Sequence, residues 1–261
     1  ANTVVAHVRP FSDALYRSAL FPWSHLLTGA QGADPGYDPL AVMVEEAHAR
    51  GLRIEAWINP YRVQLSSAKP AALSLENPAV VHPDWTREAN GGLYYRPGLP
   101  EVRELIVDGV AEIVQNYEVD GIQFDDYFYP TIDPEFDAGE LPEGQELGDF
   151  RRQNVNLLVR AVYDKIKSIR PEVSFGISPQ GNNDNNYTQQ YSDVALWMST
   201  PGYLDYVMPQ IYWGFGYLTS SEKTDYQFAA LCEKWAAMPR TEGVQLYVGL
   251  GAYRIGGGDG G

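Results

Sequence analysis

A single cysteine, Cys232, and four histidines leave this 261-residue chain without a disulfide framework or a multi-cysteine metal site. Cys232 lies in an apolar helical stretch with Phe228, Leu231 and Trp235, where a thiol serves as a small core side chain. Positive charge is scarce as well. Only 19 Lys and Arg stand against 34 Asp and Glu, a formal net charge of -15, so the clustered cations that polyphosphate partners require are missing and nucleic-acid binding is not expected. No apolar run is long enough to cross a bilayer, which argues against an integral membrane protein, and residues 1–9 do not form a signal peptide. No Gly-x-Gly-x-x-Gly turn follows a strand, and there is no phosphate loop, nucleophile elbow or His-Glu-x-x-His helix. Nucleotide, serine-hydrolase and zinc chemistry lose their usual signatures, and no metal or cofactor is expected.

What is present is organised around residues 119–130, Val-Asp-Gly-Ile-Gln-Phe-Asp-Asp-Tyr-Phe-Tyr-Pro. A turn signal opens the stretch, an apolar-polar alternation of strand type follows, and it stops at paired carboxylates. With a period of two, Gln123, Asp125 and Tyr127 share one face, while Ile122, Phe124 and Phe128 share the other. Such a strand delivers an acid to a sheet edge.

The same strand pattern recurs at residues 2–10, 52–60, 173–179, 205–213 and 246–253. In the first of these, Val5, His7 and Arg9 fall on one face. Asp38-Pro39 caps a helix that runs to Gly51, Pro100 starts another, and helices are expected over 149–170, 188–198 and 224–237. Residues 61–99, 131–148 and 181–186 read as loops. Asp133, Glu135, Asp137 and Glu140 alternate within the second of them without the glycine and oxygen spacing of a calcium loop, so a solvated acidic loop is expected. Strands alternating with helices predict an α/β fold with a parallel sheet, in one domain over 1–261 that ends in a glycine-rich tail, 256–261. Polar groups gather at the carboxyl ends of the strands. That favours a (β/α)8 TIM-type barrel with its site on the C-terminal rim, although such a barrel has eight strands and six are legible.

The chain resembles the glycosyl hydrolase-like 10 family of bacterial envelope barrels. The resemblance rests on His7-Val8-Arg9-Pro10 with Asp13-Ala14-Leu15-Tyr16, Phe21-Pro22-Trp23-Ser24, residues 27–29 and 34–40, and Ala56-Trp57-Ile58-Asn59-Pro60-Tyr61-Arg62. It continues through the 119–130 stretch, Gly176-Ile177-Ser178-Pro179, Pro209-Gln210-Ile211-Tyr212-Trp213 and Ala252-Tyr253-Arg254-Ile255-Gly256. It implies that the six strands are the second to seventh of the barrel, with the first and last lacking here. It also implies a glycosidase acting on a cell-envelope polysaccharide such as peptidoglycan glycan strands, in an extracytoplasmic location. Oligomeric state is not legible.

Hydrolysis of a glycosidic bond needs one acid to protonate the leaving oxygen and one carboxylate to stabilise or attack the sugar. Asp125 is the candidate for the ionised role; the alternative is a carboxylate held by Arg or backbone amides at a strand end. Asp126 either turns into the cleft as acid partner or caps the next turn. Two further candidates for the proton donor are Glu55, otherwise a buried partner for Arg9 or His7, and Asp184, otherwise part of a plain polar turn. His7, Arg9, Trp57, Asn59, Tyr61, Arg62, Tyr127, Gln210, Tyr212 and Trp213 lie on or just after strands, where rings and amides suit a polyhydroxyl ligand. A non-catalytic glycan-binding barrel is the alternative function.

Overall fold

The computed structural model describes residues 1–65 and 72–256. In chain order the elements are β1 (Thr3–Arg9), α1 (His25–Thr28), α2 (Pro39–Ala49), β2 (Arg53–Ile58), β3 (Arg62–Gln64), α3 (Pro78–Val81), β4 (Thr86–Ala89) and β5 (Gly92–Tyr95). Then come α4 (Pro100–Asn116), β6 (Gly121–Phe124), α5 (Leu147–Ile169), β7 (Ser174–Ile177), α6 (Asn183–Thr188), α7 (Val194–Ser199), β8 (Tyr206–Val207), α8 (Phe228–Ala237) and β9 (Gln245–Leu246). Six strands pair in parallel in the order β1-β2-β6-β7-β8-β9, so the α/β class with a parallel sheet stands.

Local chemistry explains the helix starts. The Asp38 carboxylate accepts the backbone N–H of Ala41 at 3.2 Å, and Pro39 occupies the first turn of α2, where its missing N–H costs nothing. Pro100 plays the same part in α4. On one face of the sheet, Ile54, Ala56, Ile58, Ile122, Phe124, Phe175, Ile177 and Val207 are buried against the apolar stripes of α4 and α5. Each such aliphatic or aromatic side chain contributes roughly 1.5–3 kcal/mol through burial.

The other face is concave and polar. The Tyr206 hydroxyl on β8 donates to the Glu55 carboxylate on β2, although β6 and β7 lie between them in the sheet. Strands about 4.8 Å apart would hold these groups too far from one another on a flat sheet, so the sheet must roll. Gly176 makes room for the crossing: a Cβ there would sit 1.9 Å from the Tyr206 ring. As hydrogen-bonded among the described residues, the sheet is open, with β1 and β9 each paired on one side only. Val4 (40% exposed) and Val5 (36% exposed) lie on the β1 edge, and Tyr247 is exposed just past β9.

Several expectations are corrected. Strands β8 and β9 are two residues long rather than spanning 205–213 and 246–253, and only single bridges, Gln180–Gln210 and Gln210–Gly249, extend the pairing. Pro179 and Pro209 have no N–H to give the ladder. The 61–99 loop contains the antiparallel sheet β3-β5-β4, whose strands are too short to read as alternation. The helix expected over 188–198 is only α7, because Tyr191 takes a left-handed φ of 54° and Asp193 caps α7 through Leu196 N at 3.1 Å, while α6 occupies most of the stretch expected as the 181–186 loop. The acidic loop is solvated only in part: Asp133 and Glu135 are exposed, but the other two acids are paired. Asp137 is buried against Arg151 (2.6 Å), and Glu140 pairs with Arg96 (2.6 Å). Cys232 is partly buried against the core. Residues 257–261 of the expected glycine-rich tail lie outside the described residues.

Because the Tyr206 ring fills the space over residue 176, Gly176→Ala is expected to destabilise the protein by about 1–3 kcal/mol. Urea unfolding measures this, and a variant as stable as the parent would contradict the packing described.

Candidate active site

Strand β6 ends at Phe124, so Asp125 is the first residue beyond the ladder and keeps the inward direction set by Gln123 two positions earlier. Its carboxylate is 2% exposed and meets only donors. The Trp57 indole N–H donates at 3.2 Å, the Asn59 amide at 3.1 and 3.3 Å, and the Tyr127 backbone N–H at 3.3 Å. The Trp57 ring stacks on His7 with centroids 3.7 Å apart and 8° between planes. Burial lowers the His7 pKa to about 4, helped by the Arg62 charge, so His7 is neutral, and no partner among the described residues satisfies its Nε2.

Burial raises the Asp125 pKa to about 7; the neighbouring Asp126 charge adds to this, while Arg62 and the donors oppose it. Asp126 is also raised by burial, against the pull of the Gln180 and Gln210 amides. Gln210 Nε2 donates to Asp126 Oδ1 at 3.1 Å and to the Ser178 carbonyl at 2.8 Å. Gln190 lies against the Asp126 and Tyr129 carbonyls and Gln180, with its amide nitrogen placed toward the carbonyls to satisfy them. Two adjacent, water-poor carboxylates resist double ionisation, so this pair holds a proton at a pH where isolated aspartates have lost theirs.

Arg62 is the cation of the site. Its guanidinium lies 5.0 Å over the Tyr127 ring and 5.5 Å over Phe11, and its Nε donates to the Pro10 carbonyl at 3.1 Å. On the other side stands half-buried Tyr212, whose hydroxyl pKa is raised by burial and by the Asp126 charge; its ring meets Tyr253 edge-on at 5.8 Å. The structure therefore brings together Asp125, Asp126, His7, Trp57, Asn59, Arg62, Tyr127, Gln210 and Tyr212.

Other candidates sit elsewhere. Arg9 does not share the His7 face: the pairing with β2 slips between His7 and Arg9, a β-bulge that aligns Arg9 with helix-facing Ile58. Its guanidinium stacks on Phe21 at 4.5 Å, and a Cβ on Gly109 of α4 would lie 2.2 Å from it. Glu55 partners neither Arg9 nor His7; it accepts from the Tyr206 hydroxyl and from Ser174 Oγ at 3.2 Å, deep in the concave face, where burial raises its pKa. Gln123 Nε2 completes that network through Tyr206 at 3.0 Å. Tyr61 is a core residue, 1% exposed. Trp213 packs on Tyr226 and Tyr217, and Asp184 is exposed in the first turn of α6, beside Asp225 and Lys234. Gln180 and Gln190 went unread, since single amides in loops give no periodic signal. Among the described residues there is no group of three or more His, Cys, Asp or Glu that could hold a metal ion, and no helix long and apolar enough to cross a membrane.

A model of the family described as glycosyl hydrolase-like 10 matches residues 1–259. The chain belongs to this family. It is 39% identical over 280 residues to the glycosyl hydrolase YngK of Bacillus subtilis, covering 97% of this chain and 53% of that protein. It is 38% identical over 285 residues to the glycosyl hydrolase DigH of Escherichia coli K12, covering 98% of this chain and 63% of that protein. The chain thus spans between half and two thirds of the length of these curated relatives. Among solved structures it is similar to alpha-L-fucosidase isoenzyme 2 from Paenibacillus thiaminolyticus, at 16% identity and a TM-score of 0.49 over 81% of this chain and 35% of that one.

For this member of the glycosyl hydrolase-like 10 family, the raised Asp125 pKa has a consequence for stability. An unfolded aspartate loses its proton near pH 3.8, whereas the folded one keeps it to about pH 7, so this group's contribution falls as pH rises through that window. Asp125→Asn is expected to be more stable than the parent at pH 8, by on the order of 1–3 kcal/mol, with the gain shrinking toward pH 4. Denaturant titrations at the two pH values measure it; a variant less stable at pH 8 would contradict the site electrostatics.

Proposed function

We propose that this chain is a glycoside hydrolase domain that cleaves a bacterial cell-envelope polysaccharide, with peptidoglycan glycan strands as the expected class, outside the cytoplasm and by carboxylate acid/base chemistry. The observation that carries the reading is the Asp125–Asp126 pair at the carboxyl end of β6, on the concave face and ringed by amides, aromatic rings and one arginine. We take the rolled sheet as the wall of a (β/α)8-type barrel, a reading supported by the reach of Tyr206 across to Glu55.

In this mechanism Asp125 faces the anomeric carbon. Its four hydrogen bonds come from three donors and leave it best solvated as the anion, while burial keeps that anion costly. Positive charge developing on the sugar offsets the cost, so the interaction strengthens as the transition state forms. Asp126, whose pKa burial also raises, is the second acid of the pair. Tyr127, Tyr212, Arg62 and Gln210 line the approach, with rings for sugar C–H faces and polar groups for hydroxyls. Glu55, sealed under Tyr206, and Asp184, exposed in the first turn of α6, have no part in it.

A second reading, a non-catalytic glycan-binding domain, is favoured by one specific observation: Asp125 is 2% exposed with both oxygens already engaged. Release of reducing ends from peptidoglycan stripped of its stem peptides separates the two. Asp125→Asn is expected to lose activity on the order of 1,000-fold while still binding the glycan. Unchanged activity in that variant would remove Asp125 from the chemistry.

A further inference from the structure

We propose that Arg62 is a specificity-determining residue of the site, gripping with its two terminal nitrogens a carboxylate carried by the sugar that lies beside Tyr127. The inference rests on the glycoside hydrolase reading above and adds to it one chemical feature of the substrate, a free acid group on the glycan.

Arg62 is held firmly. It opens β3 and pairs with Tyr94 of β5, the preceding Tyr61 is buried in the core, and the Tyr95 N–H donates to the Tyr61 carbonyl at 2.8 Å. The side chain is fixed as well: Nε donates to the Pro10 carbonyl at 3.1 Å, and the guanidinium lies over the rings of Tyr127 (5.0 Å) and Phe11 (5.5 Å). These contacts engage Nε and the flat faces of the group. Nη1 and Nη2 have no hydrogen-bond or ion-pair partner among the described residues, and neither is one of the sealed polar atoms left unpaired.

A free fork is unexpected in this setting. In a chain of net charge -15, Arg151 and Arg96 have each found a carboxylate, Asp137 and Glu140. Arg62 stands near two and bonds to neither. Its charge opposes the burial that raises the pKa values of Asp125, Asp126 and Tyr127 and adds to the burial that lowers His7, so it acts on the cleft. Yet Asp125 takes its hydrogen bonds from Trp57, Asn59 and the Tyr127 N–H, and Asp126 from Gln210 and Gln180, all of them neutral donors. The aspartates are thus held without Arg62. A guanidinium anchored through Nε, with its outer edge open, is pre-organised for a ligand, because little side-chain freedom remains to be lost when the ligand arrives.

The geometry of that edge selects the ligand. Two parallel N–H groups match the two oxygens of a planar carboxylate, whereas a sugar hydroxyl engages only one of them. A more highly charged group, such as a phosphate monoester, would meet the Asp125–Asp126 pair in an already acidic chain, so a single carboxylate fits best. Tyr127, 52% exposed beside the guanidinium, offers a ring to the same sugar. In peptidoglycan stripped of its stem peptides the group of this kind is the lactyl carboxylate. Turning it into an amide removes the charge and sets an N–H against the Arg62 N–H groups, which leaves donors facing donors.

The opposing possibility is that Arg62 serves only as a counter-charge to the aspartate pair. Titration calorimetry of the 261-residue protein decides between them, using soluble oligosaccharides of stripped peptidoglycan and the same oligosaccharides with their carboxylates converted to methylamides. The parent is expected to bind the free acid about 10- to 100-fold more tightly than the amide. Arg62→Gln is expected to bind the two alike, and Arg62→Lys, which keeps the charge without the fork, to lose most of the preference. Arg62→Lys decides alone if Arg62→Gln does not fold. Equal affinity of the parent for the two glycans overturns the proposal, as does a preference that persists in Arg62→Gln or is undiminished in Arg62→Lys. Reducing-end release by the parent separates this outcome from that of the hydrolase reading. Equal binding with release from both glycans keeps the hydrolase and removes the role of Arg62. A preference for the acid that depends on Arg62, with no release from either glycan, keeps that role and removes the hydrolase. A parent that binds neither glycan overturns both.

Discussion

Burial of the Asp125 carboxylate on the concave face of a parallel sheet is the constraint on which the rest of the molecule depends. An ion removed from water there is costly, and the protein meets the cost only in part, with an indole, an amide and a backbone N–H. The result is an acid poised near neutrality, raised first by desolvation and then by Asp126. Such a group is inert in a loop and useful in a cleft, because a cation arriving beside it settles its charge.

The curvature that creates the cleft comes from side-chain volume. Tyr206 crosses toward Glu55 over a strand that carries glycine at position 176, and the interior floor becomes a hydrogen-bonded column of Glu55, Tyr206, Gln123 and Ser174. This column is polar yet closed, and the Asp125–Asp126 pair lies beyond it at the carboxyl end of β6. On the opposite face, aliphatic stripes of α4 and α5 hold the strands from outside, and the β-bulge near Val8 sends Arg9 to that side, against Phe21 and the glycine at 109. Two arginines at the carboxyl ends of neighbouring strands, Arg9 at β1 and Arg62 just after β2, thereby take opposite roles: one braces a helix, the other faces the carboxylates.

Much of this is legible in the sequence. Alternation around Ile54 and Ile122, and the Asp38-Pro39 and Pro100 starts, mark the strand-helix rhythm because burial and capping leave strong local signals. The grouping of Trp57, Asn59 and Asp125 follows from their shared period at neighbouring strand ends. What was not legible depended on events that leave no period. A single-residue bulge reverses Arg9, proline truncates the ladders at 179 and 209, and buried ion pairs such as Asp137 with Arg151 look, in sequence, like a solvated loop. The contact between His25 and the buried Asp13 carboxylate is of this kind too, since the two are joined by loop closure rather than by a shared strand or helix.

The most direct test of the central claim is a crystal structure of the Asp125→Asn protein with a peptidoglycan oligosaccharide bound. The account predicts an anomeric carbon about 3–3.5 Å from the residue 125 side chain, with the sugar lying between the loops that follow β1, β2 and β6. An oligosaccharide bound elsewhere, with residue 125 still closed beneath Trp57 and Asn59, would contradict it.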